Sequence, residues 1–341
     1  MKYFYLGFIG FLISCNPKET EILPIENPKL SIPKPSNFPD FNPKINLAFP
    51  TQYGVELGFK LFNDPQLSGD NSISCASCHI QQKAFADGNS RAIGVKNRVG
   101  LRNTPPIQNM AFLKTYMWDG AVIDLKDQPH IPIETHEEMD SSMLEIIQKL
   151  KDNTDYQLAF QKAFGDKTIN TERILSSLAQ YMYTLISANS KYDKVTRNEG
   201  VSFTDSEQKG YNTFQNKCAS CHKGTLQTDE SFRNIGFPHH PDTVEEHGRA
   251  RVTGFSSDFM KFRVPSLRNV AYTAPYGSFG QFATLKDVLD YFDQGVLNVD
   301  NLDPILKNNG NRIPLTEEEK ENLIAFMKTL SDEDFTTQAH K

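Results

Sequence analysis

The sequence predicts an all-α protein with long loops and little β structure, its body built as two halves on one plan. Three observations carry that expectation. The string Cys-Ala-Ser-Cys-His occurs twice, at Cys75–His79 and at Cys218–His222. A glycine-to-phenylalanine segment precedes each copy, Gly58-Phe59-Lys60-Leu61-Phe62 and Gly210-Tyr211-Asn212-Thr213-Phe214. Apolar residues elsewhere recur at helical spacing behind capping residues. A chain of 341 residues is long enough for two ordinary domains, each with a core.

From the N-terminus, residues 1–15 read as an export signal: Lys2, then the apolar run Tyr3 to Ile13, too short to span a bilayer. It ends in Leu12-Ile13-Ser14-Cys15, which resembles the lipobox of bacterial lipoproteins. Cys15 is therefore expected to carry a lipid that anchors the protein to a bacterial membrane in the periplasm. Residues 16–50 hold Pro17, Pro24, Pro28, Pro33, Pro35, Pro39, Pro43 and Pro50 and read as a tether. Extended at about 3.1 Å per residue, it reaches on the order of 100 Å. Its second half reads equally as an arm wrapped on the domain surface. An N-terminal domain is expected over 51–195 and a C-terminal domain over 196–336.

Each Cys-x-x-Cys-His string is an attachment site for c-type haem. Two thiols add across the porphyrin vinyl groups, and the adjacent histidine supplies an axial nitrogen to the iron. A zinc ribbon would bring its second cysteine pair roughly 15–20 residues after the first. A redox pair would sit beside a βαβ pattern, which the sequence does not display. Two covalently bound haem c groups are thus expected, on Cys75, Cys78 and His79 and on Cys218, Cys221 and His222. The halves become two cytochrome c-type haem domains related by duplication. Leu101-Arg102-Asn103 recurring as Leu267-Arg268-Asn269 supports the duplication.

Thr204 with Glu207, and Thr316 with Glu319, form capping boxes that start helices. Asn170 caps a helix with the stripe Ile174, Leu175, Leu178, Met182, Leu185 and Ile186. Leu323, Ile324, Met327 and Leu330 form a second stripe. The polar stretch from Asn189 to about Gly200 reads as the domain boundary, and Ile235 to Phe262 as a long loop. Net charge is −6 without a basic stripe, which argues against nucleic acid and suits a basic redox donor.

These landmarks resemble the bacterial di-haem cytochrome c peroxidases and their MauG-like relatives, from about Gly54 to Leu330. The matching segments are Leu61-Phe62-Asn63-Asp64-Pro65-Gln66-Leu67-Ser68, Leu101 to Pro105, Trp118-Asp119-Gly120, Gln128 and Glu138-Met139. Arg263 to Val270 and Thr273-Ala274-Pro275-Tyr276 match in the second half. The resemblance implies that the haem on His79 meets hydrogen peroxide. The haem on His222 would accept electrons from a small donor, a cytochrome c or a cupredoxin. Glu138, by itself a solvated acid in an acidic run, matches the distal carboxylate that moves a proton between the peroxide oxygens. Such transfer is typically worth about 10²–10⁴ in rate. Gln128 matches the amide that orients peroxide. Trp118, the single tryptophan, reads alone as a core aromatic and by resemblance as an electron relay between the haems. Asn103, with the carbonyls of Thr273 and Pro275, matches a calcium site. Members of the family often form homodimers.

Two departures matter. Val95 stands where many such peroxidases carry a distal histidine, so an open haem that needs no reductive activation is expected; His130 and His136 are the nearby alternatives. Phe292 stands where the second haem's sixth ligand is expected, leaving Tyr291, Met260, His239, His240 and His247 as candidates. Ser278 replaces a further family histidine. The expected function is a di-haem peroxidase. Its rivals are a MauG-like oxidase acting on a partner side chain, favoured by both departures, and a plain electron carrier, which would gain nothing from a substrate pocket.

Overall fold

The computed structural model describes residue 1 and residues 26–238 and 246–340. The export signal, Cys15, residues 16–25, His239 and His240 lie outside the described residues.

Each half rests on two helices that cross at a glycine. Gln52–Phe62 crosses Thr171–Thr184 in the first half, and Asp205–Lys217 crosses Glu317–Lys328 in the second. A Cβ on Gly58 would overlap the Ser177 carbonyl, and one on Gly210 would overlap that of Asn322. Only a residue without a side chain permits this approach. The capping boxes at Thr204 and Thr316 form as expected, and Asn170 accepts from the Arg173 amide (2.9 Å). The expected stripes face inward: Ile174, Leu178 and Met182 are buried in the first core, Leu323, Met327 and Leu330 in the second. Among the described residues the sole ladder is a two-residue antiparallel pair, Phe232–Arg233 with Phe262–Arg263. That pair closes part of the expected 235–262 loop, which also holds a helical turn at Ala250–Thr253.

The duplication is real in space but in a different register from the matching letters. Asn109 and Asn269 both adopt left-handed backbone (φ 59° and 57°) and both start short 3-10 turns. Tyr116 pairs with Val122 across a bridge, and Tyr276 with Phe282. Thr104-Pro105-Pro106-Ile107-Gln108-Asn109 therefore corresponds to Val264-Pro265-Ser266-Leu267-Arg268-Asn269, not Leu101–Asn103 to Leu267–Asn269. Trp118 corresponds to Ser278, and Asn103 to Arg263. The halves meet through reciprocal bonds between these equivalents. The Arg263 amide donates to the Trp118 carbonyl (2.7 Å), and the Asn103 amide donates to the Ser278 carbonyl (2.9 Å).

The tether expectation needs correction over residues 26–50, which pack as an arm. Phe38, Ile45 and Ala48 are buried, and Phe41 stacks on Phe112 at 4.9 Å. Apolar burial fixes this stretch despite its prolines. The arm also reaches the second half, where Phe38 lies under the Arg268 guanidinium (4.9 Å). The stretch expected as the boundary holds a helix. Residues Lys191–Thr196 form a helix behind a Ser190/Asp193 capping box, because the buried Asp193 carboxylate pairs with the buried guanidinium of Arg268. At the other end, Phe335 of the last helix, Glu333–Thr337, joins the first core.

Gly210→Ala is expected to lower the stability of the haem-loaded protein by about 1–3 kcal/mol through overpacking. Chemical denaturation measures this, and an unchanged midpoint would contradict the crossing geometry.

Candidate functional site

Cys75–Cys78 forms one helical turn, which brings both sulfurs and His79 to the wall of a cavity of about 580 Å³. The volume lies within the usual range for enclosed organic ligands, about 300–1,000 Å³. The same cavity is lined by Trp118, Gln128 and Glu138. Residues distant in sequence thus converge on one space. His130 and His136 are absent from its lining; each pairs instead with a carboxylate four residues on, Glu134 (3.2 Å) and Asp140 (2.9 Å).

His79 is poised as a ligand. Its Nδ1–H donates to the Phe85 carbonyl (2.8 Å), which leaves Nε2 as the free lone pair. Burial holds the imidazole below its ordinary pKa, against the opposing pull of that carbonyl and of Asp87. Burial also pushes the Cys75 and Cys78 thiols up to about 12.

The segment that carries Glu138 is pinned by the loop that carries Val95. Val95 is buried, and its amide donates to the Glu138 carbonyl (2.9 Å). Gly94 lies so close to the 137–138 backbone that a Cβ would overlap it. Arg98 donates to the His136 carbonyl (2.7 Å) and to Asp140 (2.6 Å). Burial raises the Glu138 pKa, Glu137 adds to this, and Arg102 opposes it. The Gln128 amide contacts Met117 Sδ (3.6 Å).

Trp118 stands between the halves. Its indole N–H donates to the Asn103 carbonyl (2.9 Å), and its ring packs with Met260, Phe262 and Phe279 of the second half. Next to it, Asp119 and Glu246 share Arg102, at 2.7 Å and 2.6 Å. Glu246 is fully buried; burial would raise its pKa, but Arg102 outweighs burial and holds it below the carboxylate range. This interdomain triad has no signature in the sequence, because nothing local marks Glu246 as the partner of a residue 144 positions away.

At the second motif, His222 Nδ1–H faces the carbonyls of Pro265 (3.1 Å) and Gln227 (3.2 Å). Burial lowers its pKa and pushes the Cys218 thiol up to about 12. The backbone from Arg263 to Pro265 therefore links the Trp118 carbonyl to the His222 ring. Arg263 Nη1 is buried without a partner among the described residues, and burial depresses the guanidinium's pKa. A buried cation in this position suits an anionic edge such as a haem propionate.

Tyr291 and Met260, two of the sixth-ligand candidates, pack in separate apolar clusters. The Tyr291 hydroxyl donates to the Gly236 carbonyl (2.6 Å), with burial pushing its pKa up to about 12, whereas Met260 packs beside Trp118. His247 packs on Phe259 at 5.5 Å. The Asn103 side-chain amide donates to the Asn89 carbonyl (2.8 Å), which leaves Oδ1 as the acceptor. Nearby, Ser278 Oγ and Gln281 Nε2 are buried without partners among the described residues. Among those residues no cluster of three His, Cys, Asp or Glu forms a metal site, and no helix is long and apolar enough to cross a membrane.

A family model described as di-haem cytochrome c peroxidase matches residues 52–200. The chain is 32% identical over 305 residues to the methylamine utilization protein MauG of Methylorubrum extorquens, covering 88% of this chain and 83% of that one. It is 33% identical over 280 residues to the cytochrome c551 peroxidase of Nitrosomonas europaea, covering 81% and 79%. In structure it resembles a MauG-like protein associated with microbial copper homeostasis. The TM-score is 0.83 at 28% identity, over 91% of this chain and 98% of that one.

Arg102→Met would leave Glu246 buried and uncompensated, and is expected to cost about 3–5 kcal/mol. Thermal unfolding of the haem-loaded protein measures it, and a loss below about 1 kcal/mol would show that the triad does not hold the halves together.

Proposed function

The chain belongs to the di-haem cytochrome c peroxidase family, and from that premise we propose that it reduces hydrogen peroxide to water outside the cytoplasm, with electrons from a small cytochrome donor. The reading is carried by one observation: the Cys75–His79 motif, Gln128, Glu138 and Trp118 border a common cavity.

Cys75, Cys78 and His79 would hold one haem, and Cys218, Cys221 and His222 would hold the other. When bound, the two haems supply the iron that takes peroxide and the store that takes electrons from the donor. Glu138 is the base. As a carboxylate it removes a proton from the near oxygen of peroxide, and as an acid it returns that proton to the departing oxygen. Gln128 orients the substrate through its amide. Trp118 passes electrons between the halves, tied to the second motif through the Arg263–Pro265 backbone. The balance is hydrogen peroxide, two electrons and two protons to two waters.

Asn103 Oδ1, with the Thr273 and Pro275 carbonyls, would hold calcium; oxygen donors of this kind suit a hard cation. The N-terminal segment would attach the protein to a membrane through lipid on Cys15. The alternative, a MauG-like oxidase acting on a partner protein's side chain, is favoured by Phe292 at the sixth-ligand position and by the likeness to MauG. As sixth ligand of the second haem, Tyr291 would give the low potential that suits such an oxidase, whereas Met260 would raise the potential, as in electron carriers.

The base works in its ionised form, so activity is present above the pKa of Glu138 and is lost as pH falls through it. Because that pKa is raised, the acid limb of kcat/KM for peroxide is expected above the ordinary carboxylate range. Glu138→Gln should abolish the limb and lower kcat/KM by about 10²–10⁴. Parental rate and pH profile in the Glu138→Gln variant would exclude Glu138 as the base. Trp118→Phe should slow oxidation of reduced cytochrome c at least about tenfold while both haems remain bound; unchanged turnover would remove Trp118 from the path.

A further inference from the structure

The carbonyl that orients His79 belongs to Phe85, and Phe85 is held in a conformation that a side-chain-bearing residue seldom adopts. Ala84 and Phe85 are consecutive left-handed residues, with φ of 51° and 63°. Such backbone persists where the surroundings over-determine it. The surroundings include the far end of the chain. The Phe85 ring lies 5.4 Å from Phe335 and 5.9 Å from His340, and the Phe335 and His340 rings are 4.8 Å apart. Phe85 and Phe335 are each 2% exposed. On the same turn, the Gln81 side-chain amide donates to the Phe335 carbonyl (3.3 Å) and to that of Gln338.

This C-terminal segment is anchored in the second half and at the junction. The Asp332 amide donates to Asn269 Oδ1 (2.7 Å), and the Asp332 carboxylate accepts from Ser187 Oγ (3.0 Å) and from the Asn189 amide (2.9 Å). Asp332 also caps the last helix, accepting from the Phe335 amide (3.2 Å).

We propose that residues 332–340 form a clamp on the proximal side of the first haem site, in which Phe335 is a positioning residue that fixes the Phe85 carbonyl on His79 Nδ1–H. The clamp rests on His79 being the axial ligand, as read above. A carbonyl held on Nδ1–H makes the imidazole a more basic ligand and favours the oxidised iron. The end of the second half thereby sets the potential of the haem in the first. Ordering of the second half's end and poise of the first half's haem become linked through ring packing and the Gln81 hydrogen bonds.

The test uses the full-length protein with both haems, comparing the parent with Phe335→Ala, Phe335→Leu and Gln81→Ala. Spectroelectrochemistry reads the two midpoint potentials, and resonance Raman reads the iron–histidine stretch of the reduced first haem. Phe335→Ala should raise the potential of the His79 haem and lower its iron–histidine frequency, with the His222 haem unmoved. Phe335→Leu should restore most of the parental values. Gln81→Ala, which removes only hydrogen bonds to the segment, should shift the same potential in the same direction, and it carries the test if Phe335→Ala fails to load haem. Parental potentials and frequency in Phe335→Ala, or in Gln81→Ala where that variant carries the test, would overturn the clamp. A parent lacking haem at Cys75–His79 would instead overturn the reading on which the clamp rests.

Discussion

Two backbone hydrogen bonds, Arg263 N–H to the Trp118 carbonyl and Asn103 N–H to the Ser278 carbonyl, join the halves at equivalent positions. The site depends on this seam. It fixes the loop that carries Trp118 at the edge of the first cavity, and it ties that loop through Pro265 to His222. Neither half completes the arrangement alone. The first supplies the indole, and the second supplies the Arg263 amide that holds the Trp118 backbone carbonyl.

Charge burial reinforces the seam. Arg102 joins Asp119 of one half to Glu246 of the other, and Arg268 joins the second half to Asp193 in the junction helix. Buried ion pairs add little net stability over apolar packing, yet they make misalignment costly, because any slip strands a charge in a dry interface. The two arginines therefore act mainly on geometry. Arg102 also tempers the raised pKa of Glu138, so the residue that locks the halves reaches the proposed catalytic carboxylate electrostatically. Arg263, with its orphaned Nη1, is the exception: a buried guanidinium whose Nη1 has no protein partner among the described residues, placed beside the backbone that leads to His222.

Much of the fold was legible because its signals are local. The haem motifs, the crossing glycines Gly58 and Gly210 and the boxes at Thr204 and Thr316 each sit within a few residues. The cavity members Gln128 and Glu138 were legible through resemblance, since nothing local separates Glu138 from a surface acid. Matching letters do not give the repeat register. Leu-Arg-Asn at 101–103 and 267–269 match in letters, but the left-handed asparagines Asn109 and Asn269 align the halves. Both arginines carry interface charge, so similar chemistry arose at non-equivalent positions. The arm around Phe38 was one of two readings open for its segment, but the Arg102–Glu246 pair and the Phe335–Phe85 contact were not legible. Each joins residues far apart in sequence, and hydropathy alone does not choose partners over such separations.

The central claim is that an open cavity bordered by His79, Gln128, Glu138 and Trp118 turns over peroxide. Its most direct test is an optical titration of the fully oxidised protein with hydrogen peroxide, followed by a reduced small cytochrome c. The account predicts a high-spin haem signal that is lost rapidly on adding peroxide, then catalytic oxidation of the cytochrome without prior reduction of the enzyme. A fully low-spin spectrum that does not respond to peroxide would contradict it.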